Sequence, residues 1–330
     1  CIFCKERKGY MQEQNKVSID YFKVKERFAD LINGFVYHGK QAVREEDIVE
    51  LDPVLPVSVR QGQAVAFHGN VNIVDLMRQV RVKCHVVLVA LQNQSEIHYA
   101  MPVRVMSTDA ANYYSQWKEV RRGHREGGDL TGNAEFLSGM KKGEKLEPVF
   151  TMVAYFGKES WDGPRTLREM LDLSGLDEEM QKMIADYPMN LLEVRSWENL
   201  EWFHSDIREV FGFLKYAQDK RELKQFVEEN KEAFSAMSEE AYDFLGVMSR
   251  TKELKELKRE IRNEGGGYDM CKAIDDMVQD GVREGRDIGI KAGIILAQKL
   301  IQDNRQEELL RSTTDPELQR KLMEEYALDV

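Results

Sequence analysis

Two hydrophobic rhythms divide the chain, and the change between them falls near residue 200. Before it, apolar runs of strand type alternate with amphipathic stretches; from Leu200 almost to the end, apolar residues recur at helical spacing. Residues 17–34 place Tyr21, Val24, Phe28 and Leu31 on one helical face, with Gly34 suited to a helix end. A polar stretch containing Pro53 and Pro56 follows. Residues 71–94 read as two strands, or a strand pair with a short irregular link. Residues 101–122 predict a helix with Met106, Ala110, Tyr113 and Trp117 as its apolar face. The Gly-rich, charged segment 123–145 reads as a surface loop, 147–157 as a buried strand, 163–171 as a short helix after Pro164, and 188–197 as a further strand.

The last third carries its own punctuation. Three glycines at 265–267 break the helical pattern, after which Gly281, Gly285, Gly289 and Gly293 recur every four residues. Glycine inside a helix costs about 1 kcal/mol relative to alanine, so four in step call for a reason. Either a partner helix approaches closely there or the tail is pliable. Strands followed by helices place the first part of the chain in an α/β or α+β core, with a helical C-terminal region appended.

Composition narrows the classes. The 330 residues, 42% of them hydrophobic, suffice for a packed globular protein. No apolar run approaches the roughly 20 residues that cross a bilayer, so a soluble, cytoplasmic protein without a membrane partner is expected. Four scattered cysteines fit a reducing compartment, with Cys84 as a small core residue and Cys1 and Cys4 in a disordered terminus. The net charge of −11 argues against a polyanion partner until it is divided. Residues 1–150 hold 21 Lys and Arg against 19 Asp and Glu, whereas residues 151–330 hold 26 against 39. A surface for a polyanion belongs in the first half.

The candidate chemistry lies in Val86–Arg104. Side chains alternate along a strand, so Gln92 and Gln94 project together from its end. Asp75 lies far enough upstream for a strand, a turn and a return strand to bring it back beside them. It serves either as a site acid or as a turn residue or strand-end cap. Hydrolysis of a phosphodiester at neutral pH usually requires a divalent metal held by carboxylates. The six histidines show no metal-binding spacing, and no phosphate-binding GxxxxGK[ST] loop is present.

RFADLING, the LVALQNQSEIHYAMPVRVM run, YFGKESWDGPRTLREML, EVFGFLKYAQDK and the Gly-spaced tail occur in this order. Together they resemble the recombination-promoting nuclease and transposase family (Rpn), a branch of the PD-(D/E)XK nuclease superfamily. The resemblance implies a restriction-endonuclease-like core with a mixed sheet flanked by helices at residues 17–198. A helical extension would occupy 199–263 and a helical tail 264–330, after a disordered or non-native N-terminus at 1–16, with Met11 as a natural start. It implies a metal-dependent endonuclease acting on double-stranded DNA. Asp75 would be the first metal-binding acid, the Asn93 carbonyl a further ligand, Gln94 a residue orienting water, and Arg104 a brace or backbone contact. Asp30 would be an added acid on the first helix.

Gln92 departs from the family pattern, which has Glu there. As a metal ligand it offers a neutral amide oxygen to Mg²⁺ or Mn²⁺. An engineered inactive variant, a decayed copy and a chain using another acid all fit that departure. DNA contacts are expected from Arg78, Arg81 and Lys83 beside Asp75, and from Lys118, Arg121, Arg122 and Arg125 on the following helix, unless these form a solvated face. The alternative function is a catalytically inactive DNA-binding or oligomerisation protein that associates through its C-terminal helices.

Overall fold

The computed structural model describes residues 2–51, 75–82 and 85–328. Helices α1 (Ile2–Phe22) and α2 (Lys25–Tyr37) precede strands β1 (Ile48–Glu50), β2 (Leu76–Val82) and β3 (His85–Gln94). There follow α3 (Met101–Gly127), α4 (Asn133–Ser138), β4 (Val149–Tyr155), α5 (Glu178–Met183) and β5 (Asn190–Glu193). The helical region comprises α6 (Ile207–Tyr216), α7 (Lys220–Glu229), α8 (Lys231–Phe234), α9 (Glu239–Met248) and α10 (Lys252–Leu257). The chain ends in α11 (Met270–Gln302), α12 (Gln306–Ser312) and α13 (Pro316–Glu325).

The five strands form one sheet in chain order. Pairing from β1 to β3 is antiparallel, and from β3 to β5 it is parallel. Connection length explains the switch: residues 83 and 84 suffice to join β2 to β3, whereas a parallel return needs a long crossover, which α3 supplies. The result is an α/β fold with a mixed sheet between helices and a helical C-terminal region. It is the architecture expected of a nuclease-like core.

Each face of the sheet has its own cover. Val89, Leu91, Met152 and Ala154 pack under α1, α2, α6 and α9 in a single large core. On the other face, Met101 and Val105 of α3 meet Val153 and Tyr155. The large core runs from Tyr21 to Ala273, so the helices from α6 to the start of α11 share the core of the sheet domain. A half-buried ion pair fastens them. Arg27 donates from Nε and Nη2 to the two oxygens of Asp206 at 2.8 and 2.7 Å, and Tyr21 donates to Asp206 at 2.9 Å. A second, small core joins Leu296 and Leu300 of α11 to Leu322 of α13.

Several expectations are altered. The helix predicted over 17–34 is two helices separated at Lys23 and Val24. The first of them extends back to Ile2, so residues 2–16 are helical and Gln14 is buried. Gly34 lies inside α2, where an added Cβ would meet the Phe203 ring at 2.2 Å. Close packing, not helix termination, is its use. The helix expected at 163–171 is a single tight turn at Arg168–Met170. Cys1, Lys83 and Cys84 lie outside the described residues. The glycines after 280 fall within one continuous helix, and Gly285, Gly289 and Gly293 have open space around them.

Glycines 34 and 285 should therefore respond oppositely to alanine. Gly34→Ala overpacks against Phe203 and should destabilise by roughly 1–3 kcal/mol. Gly285→Ala gains helix propensity at no steric cost and should stabilise by about 0.5–1 kcal/mol. Urea unfolding of both variants beside the parent checks the pair, and equal midpoint shifts would refute the packing assignment.

Candidate active site

Asp75 stands immediately before β2 and clasps β3 on either side of Gln92. Its N–H donates to the Leu91 carbonyl at 3.1 Å, and its Oδ2 accepts the Asn93 N–H at 2.6 Å. The carboxylate thus substitutes for a main-chain acceptor where the β2–β3 ladder ends. This is the strand-end cap, one of the two roles that the sequence allows for this residue.

Gln92 is fully buried on the α3 face. Its Nε2 donates to the Thr108 hydroxyl at 3.2 Å, while its Oε1 is buried without a hydrogen-bond partner. Arg104 lies one helical turn before Thr108, so both face the sheet from α3. Burial pushes the Asp75 carboxyl up to about 6, opposed by the Asn93 N–H and by the charge of Arg104. Asp75 and Gln92 are therefore cross-strand neighbours where β2 and β3 run under α3, within reach of the charge of Arg104. Gln94 ends β3 one pleat on from Gln92, partly buried, its carbonyl accepting from Phe156 N–H at 2.8 Å.

Other candidates lie elsewhere. Asp30 belongs to α2, on the opposite face of the sheet. Its oxygens accept the His204 and Ser205 N–H groups at 2.8–2.9 Å and the Ser205 hydroxyl at 2.6 Å. It holds the chain entering α6 and is not brought to Asp75. Arg78 is buried, 5.9 Å from the Phe28 ring centroid and 3.5 Å from Glu50. Packing on α2 withholds it from a phosphate. Arg81 is exposed but about 20 Å along β2 from Asp75, six residues at strand rise. Arg121 and Arg122 sit near the far end of α3, about 25 Å from Arg104 at helical rise. Lys83 falls outside the described residues.

Thr108 and Asp109 were not singled out from the sequence. Asp109 is buried and accepts hydrogen bonds from the Thr151 and Tyr187 hydroxyls; burial raises its pKa, and those two hydrogen bonds oppose the rise. The buried face of α3 is Met101, Val105, Thr108, Asp109 and Asn112, not the face through Ala110 and Trp117. Polar residues at sheet-facing positions hide the true stripe from a hydrophobic reading.

A magnesium-type cation requires an oxygen shell rich in carboxylates. Asp75 supplies one, already hydrogen-bonded to Asn93, and Gln92 supplies an uncharged, unpartnered oxygen. Glu96 is paired with Arg250 at 2.9 Å. Among the described residues no three Asp, Glu, His or Cys side chains gather as a metal site. The residues present do not fit a resident magnesium ion.

The fold is an α/β core compatible with that of a nuclease, and Asp75 is buried at the end of its β2–β3 ladder. A family model described as "Putative transposase, YhgA-like" matches residues 135–243, the part of the chain from α4 through β4 and β5 into α9. This is the group to which the sequence resemblance points, and the match leaves out the β2–β3 hairpin that carries Asp75 and Gln92. No curated protein and no solved structure matches the chain.

Asp75 sets a pH dependence of known sign. Its folded pKa lies above the unfolded value of 3.8, so ionisation costs the native state as pH rises from about 4 to about 6. Asp75→Asn keeps an oxygen for the Asn93 N–H and removes that cost. The variant should match the parent below pH 4 and exceed it above pH 6 by up to roughly 3 kcal/mol. Denaturant melts at both pH values check this, and a variant less stable than the parent at pH 7 would contradict it.

Proposed function

We propose that the chain is a DNA-binding protein of the transposase type whose phosphodiester-cleaving centre has one acid where two are needed. The observation that carries this reading is Gln92. It is fully buried, one hydrogen bond ties its amide to Thr108, and among the described residues no three Asp, Glu, His or Cys side chains gather beside it and Asp75. Arg104 supplies the positive charge that such a centre directs at a phosphate.

DNA contact would be electrostatic and insensitive to base sequence, because Lys and Arg neutralising phosphates carry non-specific affinity. A cutting enzyme is the second reading, favoured by the convergence of Asp75 and Arg104. The two differ in what one substitution does. Thr108 can donate as well as accept, so Glu fits at position 92 without loss of its hydrogen bond. Two adjoining buried carboxylates repel, and a divalent cation relieves that repulsion.

Gln92→Glu should therefore melt below the parent in chelator and regain stability in Mn²⁺ or Mg²⁺, while the parent melts alike in both. The same variant should nick supercoiled plasmid, and adding Asp75→Ala should abolish the nicking. Cation-dependent nicking by the parent would favour the enzyme reading. If Gln92→Glu shows neither cation-dependent melting nor nicking, the proposed centre is wrong.

A further inference from the structure

The C-terminal half of α3 carries a surface that the centre at Asp75 does not use. Tyr114, Trp117, Lys118, Arg121, Arg122 and Arg125 recur at three- and four-residue spacing and line one groove of about 430 Å³. They fall on a single stripe of the helix. Tyr114 is 54% exposed, and its ring lies 5.5 Å from that of Trp117. The cations flank the rings: Lys118 Nζ is 5.5 Å from the Tyr114 centroid, and the Arg121 guanidinium is 5.3 Å from that of Trp117.

The arginines of the stripe keep their charge available. Arg122 and Arg125 are exposed, and neither they nor Arg121 forms an ion pair with a described residue. Glu126 lines the groove without pairing with them. Nearby acids are engaged elsewhere, as Asp129 and Glu144 hold His124 and Lys141. In a chain of net charge −11, Arg121, Arg122 and Arg125 outnumber Glu119 and Glu126 along this stretch of α3 and leave a local positive surplus that complements a polyanion.

The aromatic pair selects the kind of polyanion. A duplex keeps its base faces stacked internally, so an exposed ring among cations gains nothing from it. An unpaired strand offers both phosphates for the cations and base faces for the ring. We propose that this face of α3 binds single-stranded DNA, with Tyr114 as the stacking platform and Arg122 and Arg125 on the backbone. The inference rests on the DNA-binding reading above and adds the form of DNA held, along a stretch of α3 that begins about 15 Å beyond Arg104 at Tyr114 and ends about 32 Å beyond it at Arg125.

The test is fluorescence anisotropy of the full chain with a labelled oligo-dT of about 12 nucleotides and with a duplex of equal length, a strand that spans one single-strand site. The parent should bind the oligo-dT. Tyr114→Ala should weaken that binding roughly 5- to 100-fold. An Arg122→Ala/Arg125→Ala double variant should flatten the slope of log K against log salt by about 1.4, or 0.7 for each charge removed. Unchanged affinity in Tyr114→Ala together with an unchanged salt slope in the double variant would overturn the proposal. A parent that binds the duplex but not oligo-dT would overturn this inference and leave the DNA-binding reading standing. A parent that binds neither would overturn both.

Discussion

A carboxylate drawn out of water beside an uncharged amide is the constraint on which this structure turns. Asp75 is 8% exposed, and its nearest compensations are one backbone N–H and the charge of Arg104. A buried carboxylate with so little support costs the native state at neutral pH. Such a cost is typical of a group placed for chemistry or ligand binding, where local stability gives way to function. At Asp75 the same carboxylate also ends the β2–β3 ladder, so one residue serves structure and site together.

The rest of the fold holds that residue in place. β2 and β3 pair in one register from Leu76 opposite Leu91 to Val82 opposite His85, and the α3 crossover lays Thr108 over Gln92. Behind the sheet, the Arg27–Asp206 pair and the shared aromatic core bind the N-terminal helices to those after residue 199. Removing Asp206 would leave the buried Arg27 without its carboxylate partner, so the sheet's rear cover behaves as one unit. The residues on which the proposed DNA contacts rest lie on α3 and at the ends of β2 and β3.

Much of this was legible along the chain, for physical reasons that can be named. β3 and β4 announce themselves because a strand covered on both faces reads as a continuous apolar run. The change to helical spacing near residue 200 follows from amphipathic helices laid on a core. What could not be read depends on partners remote in sequence. Gly34 resembles a helix end until Phe203 is seen against it, and Asp30 resembles a site acid until its oxygens are seen on His204 and Ser205. Arg78 resembles a phosphate contact, yet its packing partner is Phe28 on another element. The buried face of α3 was missed because Thr108, Asp109 and Asn112 answer to polar partners on the sheet, which hydrophobic periodicity does not register.

Gln92 was legible as a departure, but its meaning was not. Only the structure shows an amide whose nitrogen is committed to Thr108 and whose oxygen has no partner. The most direct measurement of the account is a carboxyl-carbon NMR titration of Asp75 in the parent protein. The account predicts a midpoint near pH 6; a midpoint near 4, that of a freely solvated aspartate, would contradict it.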